Sequence, residues 1–202
     1  MPSDVTVLRA DDPRCERLAD DGWTVTARSW AAHVELTPRH TQGWRDAMAR
    51  LASTDTCREL TADDVPAVLA LDAATAGDYP GSVATAHEAL TPHTATPTVR
   101  RPAFGVLDDK GDLVAITFVD IEADPTWAEV DFTVVAPHRR RQGLATALKA
   151  ASLLGLMERG VTDVRTGGSD ENRGIIAANE TLGFRVDERW VTLVAPAKGP
   201  DA

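Results

Sequence analysis

PHRRRQGLATALK, residues 137–149, places a histidine and three successive arginines immediately before a glycine and an apolar helical pattern. The whole chain carries a formal net charge of −10, so this local concentration of cations predicts a bound anion. The preceding stretch reads as a strand, and a helix that begins directly after a glycine turn directs the unpaired N–H groups of its first turn outward. Gly143 and the small Ala145 allow a ligand to approach the backbone. We therefore predict a diphosphate site at this turn.

The strand before the turn is WAEVDFTVV, residues 127–135. Strict alternation predicts one apolar face, made of Ala128, Val130, Phe132 and Val134. Glu129 and Asp131 then share the opposite, polar face.

Composition restricts the class of protein. Hydrophobic residues make up 43% of 202 positions and charged residues 26%, typical of one globular domain with a small appendage. The pI near 4.9 argues against nucleic acid or an anionic membrane surface as partner. We find neither a membrane-spanning stretch nor a secretion signal, and Cys15 and Cys57 have no metal-type spacing. These features favour a cytoplasmic protein without a metal.

Residues 57–194 alternate between strand and helix patterns in the order β-α-α-β-β-β-α-β-α-β. A helix begins at Thr61 with Asp64 as its capping partner, and a weaker helix is predicted over residues 82–89. Asp109-Lys110-Gly111 marks a hairpin turn, and Gly160 and Gly183 are positioned to end helices. Consecutive antiparallel strands followed by βαβα predict an α/β fold, a mixed sheet with helices on both faces.

Two segments together resemble the GNAT superfamily of acyl-CoA-dependent N-acetyltransferases. Arg140-Arg141-Gln142-Gly143-Leu144-Ala145 is similar to the superfamily's Arg/Gln-x-x-Gly-x-Gly/Ala signature. SDENRGIIAANETLGF, residues 169–184, resembles its later helix and Leu-Gly-Phe segment. The order of elements agrees as well, so the resemblance extends from about residue 56 to residue 194.

The resemblance implies that acetyl-CoA is the cosubstrate and that no metal is needed. In this superfamily the strand before the signature splays away from its neighbour, and pantetheine lies in the gap. The backbone near Val134 and Val135 then stabilises the oxyanion as an amine attacks the thioester directly. The residues that would contact CoA are Val134, Val135, Arg140, Arg141, Gln142, Gly143, Leu144, Ala145, Thr146, Asn172 and Asn179.

Candidates for catalysis are Glu129, Asp131 and Tyr79. Glu129 is the first choice as general base, because its distance from Gly143 resembles that in the histone-acetylating branch of the superfamily. Many members place a tyrosine at position 179 to protonate the CoA thiolate, but this chain has Asn179. That proton then comes from water or from another residue, and Tyr79, the only tyrosine, is one candidate.

The sequence favours a small cationic amine as the acceptor, and a protein N-terminus or lysine side chain stays open as the alternative. Four acidic residues lie near the expected acceptor side: Asp72, Asp78, Glu122 and Asp124. Asn179 also keeps open a second class, a non-catalytic acyl-CoA-binding or sensor module with the same fold. A longer acyl donor is a third option.

Residues 1–53 form an N-terminal extension, residues 54–196 the GNAT domain and residues 197–202 a tail. LADDGWTVTARSW (18–30) is similar to TLGFRVDERWVTL (181–193), which raises the hypothesis that the extension is the remnant of a second such unit. The alternative is an unrelated extension made of a strand and a helix. The GNAT fold usually ends with two strands after its last helix, whereas only one fits here. WTVTARSW (23–30) is the candidate for the missing edge strand, within its own chain or across a homodimer.

Overall fold

The computed structural model describes residues 4–78 and 83–196. Its strands are β1 (Val5–Arg9), β2 (Thr24–Glu35), β3 (Thr56–Glu59), β4 (Ala103–Leu107), β5 (Leu113–Ile121), β6 (Trp127–Val135), β7 (Asp163–Ser169) and β8 (Arg185–Val194). Its α-helices are α1 (Arg14–Asp20), α2 (Thr41–Met48), α3 (Val65–Thr75), α4 (Leu144–Glu158) and α5 (Arg173–Thr181).

All eight strands belong to one mixed sheet in the order β1-β8-β2-β7-β6-β5-β4-β3. Neighbouring strands are antiparallel except β6 and β7, which are parallel and connected through α4. Val114 to Val119 of β5 are all buried, as expected for a strand covered on both faces. The α/β fold predicted from the sequence is therefore confirmed.

The N-terminal segment contributes an interior strand. Over Ser29–Glu35, β2 pairs with β7, and over Thr24–His33 it pairs with β8. The candidate strand thus lies in its own chain's sheet, but between two neighbours and not at an edge, where β1 is found. The division of the chain into an extension at 1–53 and a domain at 54–196 stays a prediction.

The strand β6 contains a bulge that the alternation pattern did not predict. Its register with β5 shifts so that Phe118 faces Phe132 while Val119 faces Val130. Phe132 and Val134 consequently pack in one core cluster, and Ala128 and Val130 in another. The prediction that these four share one face is wrong, because one extra residue in a strand reverses the alternation that follows it.

The helix predicted over residues 82–89 is absent from residues 83–89, the part of it that the structure describes. The buried carboxylate of Asp72 on α3 organises this segment in another way. It accepts a hydrogen bond from the Leu90 N–H at 2.9 Å and contacts His87 Nε2 at 2.7 Å. Tertiary hydrogen bonds thus replace those of a helical turn. The tail at 197–202 lies outside the described residues.

Other local predictions agree with the structure. The Thr61 N–H donates to the Asp64 carboxylate at 2.8 Å, as a capping partner requires. Gly111, Gly160 and Gly183 all have positive φ at the turns where glycine was expected. Among the described residues, no helix combines the length and apolarity that crossing a membrane requires.

Candidate active site

The turn between β6 and α4 exposes a row of backbone N–H groups. Gly143 has φ 80°, a left-handed conformation suited to glycine, and directly precedes α4. The N–H groups of residues 141–146 have no hydrogen-bond acceptor among the described residues. Space around Gly143 is open on the side where a Cβ would project. Unpaired N–H groups at a helix N-terminus, with room for a ligand, suit a phosphate or diphosphate.

The three arginines of the turn differ in their contacts. Arg139 donates to the buried carboxylate of Asp55 at 2.8 Å and to Gln142 Oε1 at 3.0 Å. Arg140 donates through Nε to the Val135 carbonyl at 3.1 Å and pairs with Asp78. The exposed guanidinium of Arg141 has no partner among the described residues. The first two arginines therefore brace the turn, and Arg141 supplies an unpaired positive charge.

A gap opens between β6 and β7. The two strands pair only from Trp127↔Asp163 to Glu129↔Arg165, although each continues for several further residues. Beyond this point the edges of both strands face a cleft of about 1480 Å³. The cleft runs from the exposed N–H groups of the turn to the closed end at Glu129 and Arg165. It provides a channel for an extended ligand whose anionic end lies at Gly143.

Most of the predicted CoA contacts line this cleft: Val134, Val135, Arg140, Arg141, Gly143, Leu144, Ala145, Thr146 and Asn172. Gln142 does not, since its side chain turns toward Arg139 and the His138 carbonyl. Asn179 does not either. Its side chain is 2% exposed, and neither of its polar atoms has a hydrogen-bond partner among the described residues.

Asn172 and Asn179 differ in role even though the sequence places them two helical turns apart. Asn172 is the N-cap of α5, and its Oδ1 accepts the Ile175 N–H at 3.2 Å. That bond leaves its Nδ2 as the side-chain group available to the cleft. Asn179 faces the packed interior instead and does not line the cleft.

Glu129 lies at the closed end of the cleft. Partial burial raises the pKa of its carboxyl above the usual range even though the residue keeps contact with solvent, while the positive charge of Arg165 works in the opposite direction. The nearby carboxylates of Glu122, Asp120 and Asp131 raise the pKa further. A raised pKa makes the carboxylate a stronger proton acceptor, as a general base requires.

Asp131 is close to Glu129 but already engaged. Its carboxylate pairs with Arg101 at 2.5 Å, and the same guanidinium pairs with Asp120 at 2.6 Å. Because an arginine engages the Asp131 carboxylate, while no ion pair or side-chain hydrogen bond of Glu129 is found among the described residues, the geometry favours Glu129 as the base. Tyr79 lies outside the described residues.

The four acidic residues expected near the acceptor separate into two pairs. Asp72 binds His87 and the Leu90 N–H, and Asp78 pairs with Arg140. Glu122 and Asp124 line a second, smaller depression of about 340 Å³ together with Trp127. Glu129 and Arg165 line both hollows, so the depression and the cleft adjoin at these two residues.

Two polar contacts beside the cleft, those of Lys149 and of the His87–Asp72 pair, were not predicted from the sequence. Lys149 is only 1% exposed, yet the pattern around it reads as an ordinary amphipathic helix in which a lysine points to solvent. The paired side chains of His87 and Asp72 come from segments 15 residues apart, and the His87 ring packs on Phe132 with centroids 4.2 Å apart. No local signal indicates either contact, because each depends on tertiary packing.

Solved structures share this fold along most of the chain. A GCN5-related N-acetyltransferase from Sphaerobacter thermophilus matches with a TM-score of 0.67 and 18% identity, covering 98% of this chain and 62% of that one. A tandem GNAT protein from the clavulanic acid biosynthesis pathway matches with a TM-score of 0.63 and 20% identity, covering 98% of this chain and 64% of that one. The ribosomal-protein-S18-alanine N-acetyltransferase from Escherichia coli matches with a TM-score of 0.53 and 19% identity, covering 73% of this chain and 98% of that one.

The chain therefore has the GNAT fold, and the resemblance found in the sequence is confirmed at the level of the fold. It spans somewhat less than two thirds of the length of the Sphaerobacter and tandem proteins. Comparisons with family models and with curated proteins gave no match.

Proposed function

We propose that this protein is an N-acetyltransferase that transfers the acetyl group of acetyl-CoA directly to a primary amine of a small, cationic acceptor. The observation that carries the proposal is the gap between β6 and β7, which begins at unpaired N–H groups and ends at Glu129. A diphosphate, an extended arm and a reacting thioester need these features in this order.

The turn and the gap supply the groups that would hold the donor. The N–H groups of residues 141–146 and the guanidinium of Arg141 would bind the diphosphate. The unpaired backbone edge of β6 up to Val135 would hydrogen-bond the pantetheine arm, and Asn172 would add a side-chain amide. When bound, acetyl-CoA supplies an activated acyl group whose carbonyl develops negative charge during attack. A backbone N–H near Val134 would stabilise that charge.

Glu129 is the general base of this proposal. An amine attacks only in its neutral form, so a proton acceptor beside it speeds the reaction near neutral pH. Glu129 also lines the depression formed by Glu122, Asp124 and Trp127, and carboxylates beside an indole ring favour a cationic amine. An aminoglycoside, a polyamine and an amino-acid derivative all fit this description.

The proposal is tested in two stages with the whole chain. Isothermal titration first measures the affinity for CoA. Acetyl-CoA is then incubated with a panel of spermidine, kanamycin and lysine methyl ester, and the released thiol is quantified. We expect CoA to bind, and we expect at least one amine to increase the release of CoA thiol from acetyl-CoA above the rate of hydrolysis without amine.

Each outcome separates the candidate functions. Binding without turnover on any amine favours the acyl-CoA-binding or sensor module, for which Asn179 in place of tyrosine is the supporting feature. Release of thiol from a longer acyl-CoA but not from acetyl-CoA would change the donor. Absence of CoA binding overturns the whole proposal.

A further inference from the structure

Lys149 is a buried amine in the wall of the cleft. Its side chain is 1% exposed, and its Nζ donates to Thr166 Oγ1 at 3.1 Å. The ring of Phe184 lies 5.4 Å from the nitrogen, and no carboxylate among the described residues pairs with it. Burying an unpaired ammonium is costly, so a lysine at this position is unfavourable for stability alone.

Lys149 sits near the closed end of the gap. Pairing between β6 and β7 stops at Glu129↔Arg165, and the hydrogen-bond partner of Lys149, Thr166, is the next residue of β7. Lys149 is five residues into α4 from Leu144, about 7.5 Å along the helix from the exposed N–H groups. A ligand with its diphosphate at the turn would extend its far end toward Thr166 and Lys149.

We infer that Lys149 is a catalytic residue that donates a proton to the CoA thiolate as the thioester breaks. The inference rests on the proposed acetyl transfer and deepens it. The residue at position 179 cannot fill this role, because an amide has no proton to release and Asn179 does not line the cleft. Lys149 lines it, and its nitrogen carries a transferable proton.

The step balances with the residues in place. The nitrogen of the neutral acceptor amine forms a bond with the acetyl carbon, and the bond between that carbon and sulfur breaks. One proton of the nitrogen passes to Glu129, and the sulfur takes a proton from the Lys149 ammonium. Transfer of the proton from Glu129 back to the Lys149 amine, through water in the emptied cleft, restores the starting state.

The electrostatics of the site agree with this role. Desolvation lowers the pKa of Lys149 to about 7, so a substantial fraction is protonated at neutral pH and the proton is readily released. Proton donors act best when their pKa lies near the working pH. An arginine at this position would keep its proton, and an apolar residue would have none.

The direct test is the pKa of the thiol of bound CoA, followed by the ultraviolet absorbance of the thiolate. A thiolate beside the Lys149 nitrogen counteracts the desolvation of the ammonium, so the two charges stabilise each other and the pKa of the thiol should fall by about one unit or more relative to free CoA. Lys149→Met should return it to the free value while leaving CoA affinity within about twofold. Lys149→Arg should keep the thiol pKa low, yet both variants should reduce kcat at least about tenfold with acetyl-CoA and the best amine of the panel.

Ser152→Ala is the matched control. Ser152 is buried on the same helix, and within the described part of the chain its hydroxyl bonds only the Lys149 carbonyl, so its loss should leave the thiol pKa and kcat unchanged. If Lys149→Met binds CoA and the thiol pKa equals that of the original protein, the role of Lys149 is refuted while CoA binding stands. If Lys149→Met does not fold, the kcat of Lys149→Arg tests the proposal instead. An unchanged kcat in that variant refutes proton donation by Lys149. Failure of the unaltered protein to bind CoA refutes the proposed function instead.

Discussion

At the scale of single residues, Glu129 should control the acid side of the pH profile. Its pKa is raised by desolvation, and the base must be ionised to work, so kcat/KM should fall as the pH drops through a value above the usual carboxyl range. Glu129→Gln should lower kcat/KM about 100-fold or more near neutral pH and remove this limb. The measurement is kcat/KM against pH for thiol release.

Asp131→Asn is the control for that profile. Asp131 raises the pKa of Glu129 slightly, so its neutralisation should move the limb to lower pH without removing it. Arg165 lowers the same pKa, and Arg165→Gln should move the limb to higher pH. If Asp131→Asn removes the fall of kcat/KM at low pH, Asp131 and not Glu129 is the general base.

Replacing the Asn179 side chain with an apolar one should stabilise the protein. Both of its side-chain polar atoms are buried without a hydrogen-bond partner, a state that costs free energy relative to an apolar side chain of similar size. Asn179→Leu should raise the free energy of unfolding by about 1–2 kcal/mol in urea denaturation. Asn172→Ala, which removes a helix N-cap, should lower it by about 1 kcal/mol. Destabilisation by Asn179→Leu would show that the amide has a partner.

At the scale of elements, the turn before α4 should bind the diphosphate, and two glycines of one helix allow a controlled test. Gly143 and Gly160 have φ of 80° and 85° and open space around them, but they lie at opposite ends of α4. A glutamate introduces the same strained φ and the same charge at either position. Gly143→Glu should weaken CoA binding at least 100-fold by repulsion at the N–H groups, and Gly160→Glu should change it less than twofold. Equal losses in the titrations would mean that the turn is not the diphosphate site.

Elements whose signals are local could be predicted from the sequence, and contacts between distant elements could not. The Gly143 turn, α4, α5 and the β4–β5 hairpin follow from spacing and turn residues within a few positions. The bulge in β6 depends on its pairing with β5. The arginine run looked like three free cations, but Arg139 binds Asp55, 84 residues earlier, and Arg140 binds Asp78. A distant carboxylate leaves no trace in the local pattern.

At the scale of the whole molecule, the similarity between residues 18–30 and 181–193 correctly indicated a strand in the N-terminal segment. It could not give the position of that strand in the sheet, because a strand flanked on both sides looks the same in sequence as one near an edge. The two tryptophans, Trp30 and Trp44, indicate more strongly than the sequence similarity that this segment belongs to the core, because both are buried. Trp30 Nε1 donates to the Ser169 carbonyl at 3.2 Å, and Trp44 Nε1 donates to the Leu182 carbonyl at 3.0 Å.

The N-terminal segment should therefore be essential for folding, and two deletions separate its parts. Removal of residues 1–50 takes away β1 and β2 together with both tryptophans, so β8 loses both of its neighbours, β7 loses one and the core is left open. We expect that product to lose cooperative thermal unfolding and to aggregate. Removal of residues 1–12 takes only the edge strand β1, which pairs with β8 alone, and should leave a folded protein with a lower Tm. Calorimetry and size-exclusion chromatography measure both, and a soluble product of the longer deletion with an unchanged Tm would show that residues 54–196 form the sheet without β2.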